Sequence, residues 1–281
     1  MRVFFSILFL LLIAALACCA AIARRSGKAF SRQIMLMLLA LIPPIIGNLI
    51  LLVSTRRGLS LVGFYVNFLG MDGVMLALLH FTGTYCYIRW KTPVRVLAYL
   101  LLGLDAVQLL LNPFFGHAFS TEGIMAFDAL YYRLVPHFGQ TVHRVVDYGI
   151  VAAMLVIFAV KLVRSPRIDS ERYSDILACM VLTTVWETLY IFSRTPIDRS
   201  MVGFGVFGLL VFYFSLYYRP LRLLDSMLAT IASEMPDGLF FFDSSGRCIW
   251  ANKRAAELVA LEGRGTILSP PESAWRPWWA R

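Results

Sequence analysis

The sequence predicts an all-α membrane protein, a bundle of seven transmembrane helices, followed by a short α+β segment on the cytoplasmic side. Three observations carry that expectation. Of 281 residues, 59% are hydrophobic and 15% charged, against about a quarter charged in ordinary soluble domains. Several apolar runs reach the length of about 20 residues that a helix needs to cross a bilayer. Basic residues are dense in every second connection, which is how topology is encoded in membrane proteins.

Residues 3–23, 34–53 and 201–218 contain no charge and give three spans. Residues 59–81, 96–115, 142–163 and 176–192 are apolar runs interrupted by ionisable groups and give four more. Pro43 and Pro44 are expected to break the second span, because proline lacks the amide hydrogen that a helix interior needs. Net charge is +9, and its placement matters more than its sign. Arg24, Arg25, Lys28 and Arg32 follow span 1, Arg89, Lys91 and Arg95 follow span 3, and Arg164, Arg167 and Arg172 follow span 5. The other connections carry fewer basic residues, so the N-terminus is expected outside and the C-terminus in the cytoplasm. The bilayer is therefore the first partner, and nucleic acid is not one.

Span 1 resembles a secretion signal in "ALACCAAIARR", but its basic residues follow the apolar run instead of preceding it. Cleavage would also leave that basic cluster outside, against the later connections. Neither Cys18 nor Cys19 stands in a lipoprotein pattern. Cys18, Cys19 and Cys179 fall within spans, and Cys86 and Cys248 fall on the cytoplasmic side, so no extracellular disulfide is expected. No CxxC and no His/Cys cluster indicates zinc.

"GFGVFG", residues 203–208, matches the letters of a dinucleotide fingerprint. That chemistry needs a strand before it and a helix start after it, whereas these residues lie inside an apolar span. They are read as small residues that let helices approach closely. There is no P-loop, no HExxH, no GGDEF or EAL signature and no cytoplasmic histidine to accept phosphate. No catalytic residue and no cofactor is therefore expected.

Charges at bilayer depth cost about 2.5 to 3.5 kcal/mol each on insertion scales, so they face the bundle interior and mark function. Asp72, Asp105, Asp147 and Glu187 are the four here. Asp105 shares a helix face with Gln108, and Glu187 with Tyr190, while Asn48, Asn67 and His80 add polar groups on spans 2 and 3. Asp72, Asp105, Glu187, Tyr190 and His80 form the candidate ligand set. The alternative is interhelical glue, with Asp147 paired to Arg144 at the outer interface. The connection 116–140 is the longest outside the membrane, and its Tyr131 and Tyr132 are expected to anchor an amphipathic interfacial segment. Capping of a pocket by that connection, with Asp128 and Arg133, is the other reading.

After the last span, Leu221, Leu224, Leu228, Ile231 and Met235 are spaced 3, 4, 3, 4, the seam of a coiled coil. A homodimeric exit helix over 219–234 is the functional reading, and a monomeric amphipathic helix the plainer one. "GLFFFD" then reads as a strand, "SSG" as a turn and "RCIWAN" as a second strand, with Asn252 capping a helix that presents Ala255, Leu258 and Val259.

That order, with Pro236, Asp237 and Gly238, a strand ending in Asp243, then Gly246, Arg247, Ile249 and Asn252, resembles the start of a PAS domain. With the seven spans before it, the chain resembles the N-terminal seven-transmembrane sensor region of bacterial histidine kinases and diguanylate cyclases. "LLNPFFGHAF", with Asn112 and His117, and "GLLVFYFSLYYRPLRLLDSM" are similar to that region's external motif and exit linker. The resemblance covers residues 5–260 and implies a bundle over 1–218, a linker over 219–234 and a partial PAS domain over 235–262. Residues 263–281 depart from the pattern as an irregular, Pro- and Trp-rich tail, which is expected to mark a truncated output.

The resemblance implies a sensory input module in the bacterial inner membrane, taking an unidentified small-molecule or membrane signal. Its relatives' kinase or cyclase domain is not in this sequence. Two alternatives remain: a small-solute transporter or channel using Asp72, Asp105 and Glu187, and a non-catalytic regulator of full-length homologues.

Overall fold

A computed structural model describes the chain except residues 29, 128, 166, 194–197, 218–230, 233, 243–247 and 259–281. At 167–169, 191–193, 241–242, 248–250, 256 and 258 it describes the backbone alone. The chain divides into two units, Met1–Tyr218 and Arg219–Arg281.

In the first unit the helices are α1 (Arg2–Arg25), α2 (Ser31–Ala40), α3 (Ile42–Val53), α4 (Arg57–Tyr85), α5 (Thr92–Leu110), the single turn α6 (Asn112–Phe115), α7 (Phe138–Arg164), α8 (Arg167–Ser193) and α9 (Ser200–Leu216). Among the described residues five helical stretches are long and apolar enough to cross a membrane: α1, α2 with α3, α4, α5 and α7. The protein is therefore mostly helical and membrane-spanning in character. α8 carries Glu171, Arg172 and Asp175 within its length, and α9 has 17 residues. α9 is thus an apolar helix shorter than the five.

The expected break in the second span falls at Leu41, between α2 and α3. Pro43 and Pro44 occupy the first turn of α3, where the amides they lack have no intrahelical partner in any case. The Pro44 carbonyl accepts from Asn48 Nδ2 at 3.3 Å and from Asn67 Nδ2 at 3.4 Å. α3 and α4 approach so closely that a Cβ on Gly47 would lie 2.6 Å from the Asn67 amide nitrogen. The residues of "GFGVFG" do the same for α9. A Cβ at Gly205 would run into Leu12 of α1, and one at Gly208 would lie 2.5 Å from Leu41.

The two ends of the bundle differ. At one end Lys28 Nζ donates to the Leu216 carbonyl at 2.8 Å, Phe30 packs on Tyr85 at 5.7 Å, and the Arg172 guanidinium lies 5.3 Å from the Tyr85 ring. The basic connections thus gather at that end. At the other end stands a structure the sequence reading did not expect. Residues of the 116–140 connection form an antiparallel hairpin, β1 (Phe119–Ala126) with β2 (Ala129–Pro136). It replaces the expected amphipathic interfacial segment. Pairing satisfies the backbone along eight facing positions, and Glu122 and Arg133, directly opposite, form an ion pair at 3.2 Å. Tyr131 is 2% exposed beneath the Arg2 guanidinium, which lies 4.3 Å from its ring, and Tyr132 lines an internal cavity.

Asn112 ties the hairpin to the helices. Its Oδ1 accepts from the amides of Ala118 (2.7 Å) and Phe119 (3.2 Å), and its Nδ2 donates to the Phe119 carbonyl (2.9 Å) and to Tyr65 Oη (3.2 Å). Arg57 adds a bond from Nε to Thr121 Oγ1 at 3.2 Å.

In the second unit β3 (Phe240–Phe242) pairs antiparallel with β4 (Cys248–Ala251), and α10 (Lys253–Leu258) follows. Asn252 caps α10 as expected, its Oδ1 accepting from the Ala255 amide at 2.8 Å. The same oxygen accepts from the Leu239 amide at 3.0 Å, while Nδ2 donates to the carbonyls of Asp237 (2.8 Å) and Ala232 (2.9 Å). Of the exit-helix seam, Leu221, Leu224 and Leu228 lie outside the described residues, as do Asp243, Gly246, Arg247, Val259 and the 263–281 tail. Ile231 and Met235 are both exposed.

Candidate functional site

A cavity of about 620 Å³ opens beneath the hairpin, walled by α1, α3, α4, α7, α8 and α9. Strand β2 covers it with residues 132–136, so the pocket-capping reading of this connection holds for β2. Its polar lining includes Asn48, Asn67, His143, Asp147, Glu187 and Tyr190. Glu187 and Tyr190, predicted to share a face, do so here. Asp198, in the connection to α9, also lines it and accepts from the Ser200 amide at 2.9 Å. Burial pushes the Asp198 carboxyl above the usual range, and the hydrogen bonds from Ser200 act in the opposite direction.

Sharing His143 and Asp147 with the cavity lining, three helices deliver a compact group. α4 supplies Asp72, α5 supplies Asp105, and α7 supplies His143 and Asp147. His143 Nδ1 lies 2.6 Å from Asp105 Oδ2 and 3.8 Å from Asp72 Oδ1, and its Nε2 lies 3.5 Å from Asp147 Oδ2. Gln108 holds the second oxygen of Asp105 with an Nε2 bond of 2.9 Å, which is the neighbour relation expected from their spacing. Both oxygens of Asp72 and Oδ1 of Asp147 are buried and accept no hydrogen bond, and the Asp72 carboxyl lies against that of Asp105.

Two sequence expectations change. Asp147 faces His143, one helical turn earlier on the same face, in place of Arg144. His80 stands apart from the candidate set. It is exposed, it pairs with Tyr99 Oη at 2.9 Å, and it borders a small apolar recess beside Trp90. His143, outside the candidate set, is the residue on which the carboxylates converge. The usable signal was its spacing of four from Asp147, which stacks the two on one helix face. The group is three aspartates and one histidine, a composition that no Cys and His spacing signals.

Such an arrangement can bind a cation, share protons or hold polar solutes. No protein-family model matches the chain, and no curated protein matches it.

Proposed function

We propose that the chain is the membrane-embedded sensory input module of a bacterial signalling protein of the diguanylate cyclase or histidine kinase type. In this reading α8 and α9 complete seven spans, the hairpin lies outside and the basic end faces the cytoplasm. The observation that carries it is the capped cavity with α9 in its wall. Met201 and Phe204 of that helix line the space, and the chain runs on from α9 into the linker and the PAS-like hairpin. A small molecule held between Glu187, Tyr190 and the hairpin would press on the helix that leads to the output. Concave sites of this size, mostly apolar with a few convergent polar groups, are the usual form of small-ligand pockets.

The test is a ligand screen by thermal shift on the full chain in nanodiscs, paired with flux measurements in proteoliposomes. A sensor binds without flux, and Glu187→Gln or Tyr190→Phe weakens the binding. A second reading, solute or ion transport, draws on the helix break at Leu41 and the buried carboxylates, features that transporters place at their binding sites. Flux above leak that disappears in Asp105→Asn would establish transport and end the sensory proposal. The homodimer through Leu221, Leu224, Leu228, Ile231 and Met235 is tested separately, by oxidative crosslinking of an Ile231→Cys variant.

A further inference from the structure

The Asp72, Asp105, His143 and Asp147 group has the composition and spacing of a metal site. One ligand atom from each residue can be chosen so that all lie within 4.8 Å of one another. Asp72 is 7% exposed, Asp105 2%, His143 3% and Asp147 9%. With all three ionised, three carboxylates against one imidazole leave excess negative charge in an apolar bundle, even with the imidazole protonated. Among the described residues no Lys or Arg forms an ion pair with any of the three.

Hydrogen bonding within the group does not account for all of it. Asp105 is served by His143 and Gln108. Asp72 is not, because both its oxygens are buried without a donor and the His143 nitrogen at 3.8 Å is beyond hydrogen-bond distance. Asp147 Oδ1 is likewise without a partner. Buried carboxylate oxygens are ordinarily bonded, and an orphan calls for an explanation such as an ion. Two such residues, aimed at the same imidazole from different helices, point to one occupant between them.

We infer that Asp72, Asp105, Asp147 and one ring nitrogen of His143 bind a single first-row divalent metal ion, of the Mn²⁺ or Zn²⁺ class. The imidazole disfavours Ca²⁺ and Mg²⁺, which take oxygen ligands, and the absence of sulfur disfavours Cu⁺. The dication offsets the excess charge and gives the orphaned oxygens a partner. The ligating nitrogen must be unprotonated, so uptake releases a proton. The site does not depend on the sensory reading, since a metal can hold α4, α5 and α7 together whatever the cavity reports.

The test uses the full chain in nanodiscs, cleared of metal by chelation and titrated with Mn²⁺ in excess Mg²⁺. One Mn²⁺ should bind per chain and be displaced by Zn²⁺. Pulsed electron paramagnetic resonance should show nitrogen hyperfine coupling that is lost in His143→Gln. Asp72→Asn should weaken binding by about tenfold or more, as loss of a metal-site partner does, while Glu122→Gln on the exposed hairpin leaves it unchanged. Mn²⁺ bound without nitrogen coupling, equal affinity in wild type and Asp72→Asn, or uptake of Na⁺ alone would each overturn the inference. The coupling in the wild-type protein decides the matter without any variant, should one fail to fold.

Discussion

Asn112 and Asp72 are both buried polar side chains in the same helical unit, 5% and 7% exposed, and they have opposite circumstances. Asn112 is engaged at both side-chain atoms, with four hydrogen bonds into the hairpin and Tyr65. Asp72 has none. A buried polar group that is fully bonded stabilises a fold, whereas one left unbonded costs about 1–3 kcal/mol and more when charged. The contrast separates architecture from site. Asn112 fixes the cover of the cavity, and Asp72 belongs to a group that a ligand completes.

The largest effect should come from removing the bonded member. Asn112→Leu deprives two amides and one carbonyl of their partner at the hairpin base, and should lower unfolding stability by about 3 kcal/mol. Chemical unfolding in detergent measures it, and limited proteolysis of residues 116–137 should accelerate. An unchanged midpoint would mean that the hairpin stands without this tie, and the contrast would lose its structural half.

Gly47→Ala should follow. The added Cβ meets the backbone of Asn67, at 2.6 Å from its nitrogen, and backbone cannot swing aside as a side chain can. Overpacking of this kind costs about 1–3 kcal/mol. It would also move Asn48 and Asn67, so ligand affinity in the cavity should fall with stability. Loss of stability with unaltered affinity would place the rigid α3 and α4 seam outside the function.

The bundle and its site were legible to different degrees for physical reasons. Helical stretches follow from uncharged runs, and the break at Leu41 follows from Pro43 and Pro44, because both are local properties of the chain. The roles of Asp72, Asp105 and Asp147 as interior charges were legible one by one. Their convergence on His143 was not, since it depends on the rotation and depth of three helices whose partners are 38 residues apart in Asp105 and His143 and further in Asp72. The hairpin was missed because Tyr131, Tyr132 and the neighbouring aromatics suit an interfacial segment and a strand equally well. What distinguishes them is the register that puts Glu122 against Arg133, a pairing across eleven residues.

Asn252 repeats the Asn112 arrangement in the other unit, with a smaller structure depending on it. Asn252→Ala removes the α10 cap and the bonds that hold Leu239, Asp237 and Ala232. Loss of an N-cap costs about 0.5–2 kcal/mol. Hydrogen exchange should therefore rise over residues 237–258 and stay constant over residues 1–216. A rise in both would show that the two units share one cooperative transition.

The smallest effect should be that of Asp72→Asn on metal-free protein, and its smallness is the informative point. The substitution keeps the shape and removes an ionisable group facing two other carboxylates. Because Asp72 receives no hydrogen bond, nothing in the fold loses an acceptor. Like charges in one site oppose each other, so the stability of the metal-free variant should equal that of the wild type or exceed it slightly, by about 1 kcal/mol at most. Saturating Mn²⁺ should reverse the order, because a ligand stabilises only the form that binds it. Unfolding curves with and without Mn²⁺ for both proteins therefore form a four-way comparison. A large destabilisation of the metal-free variant would put Asp72 with Asn112 as a structural residue. A crossing of the two pairs of curves would leave Asp72 as a side chain the fold tolerates and the ion requires.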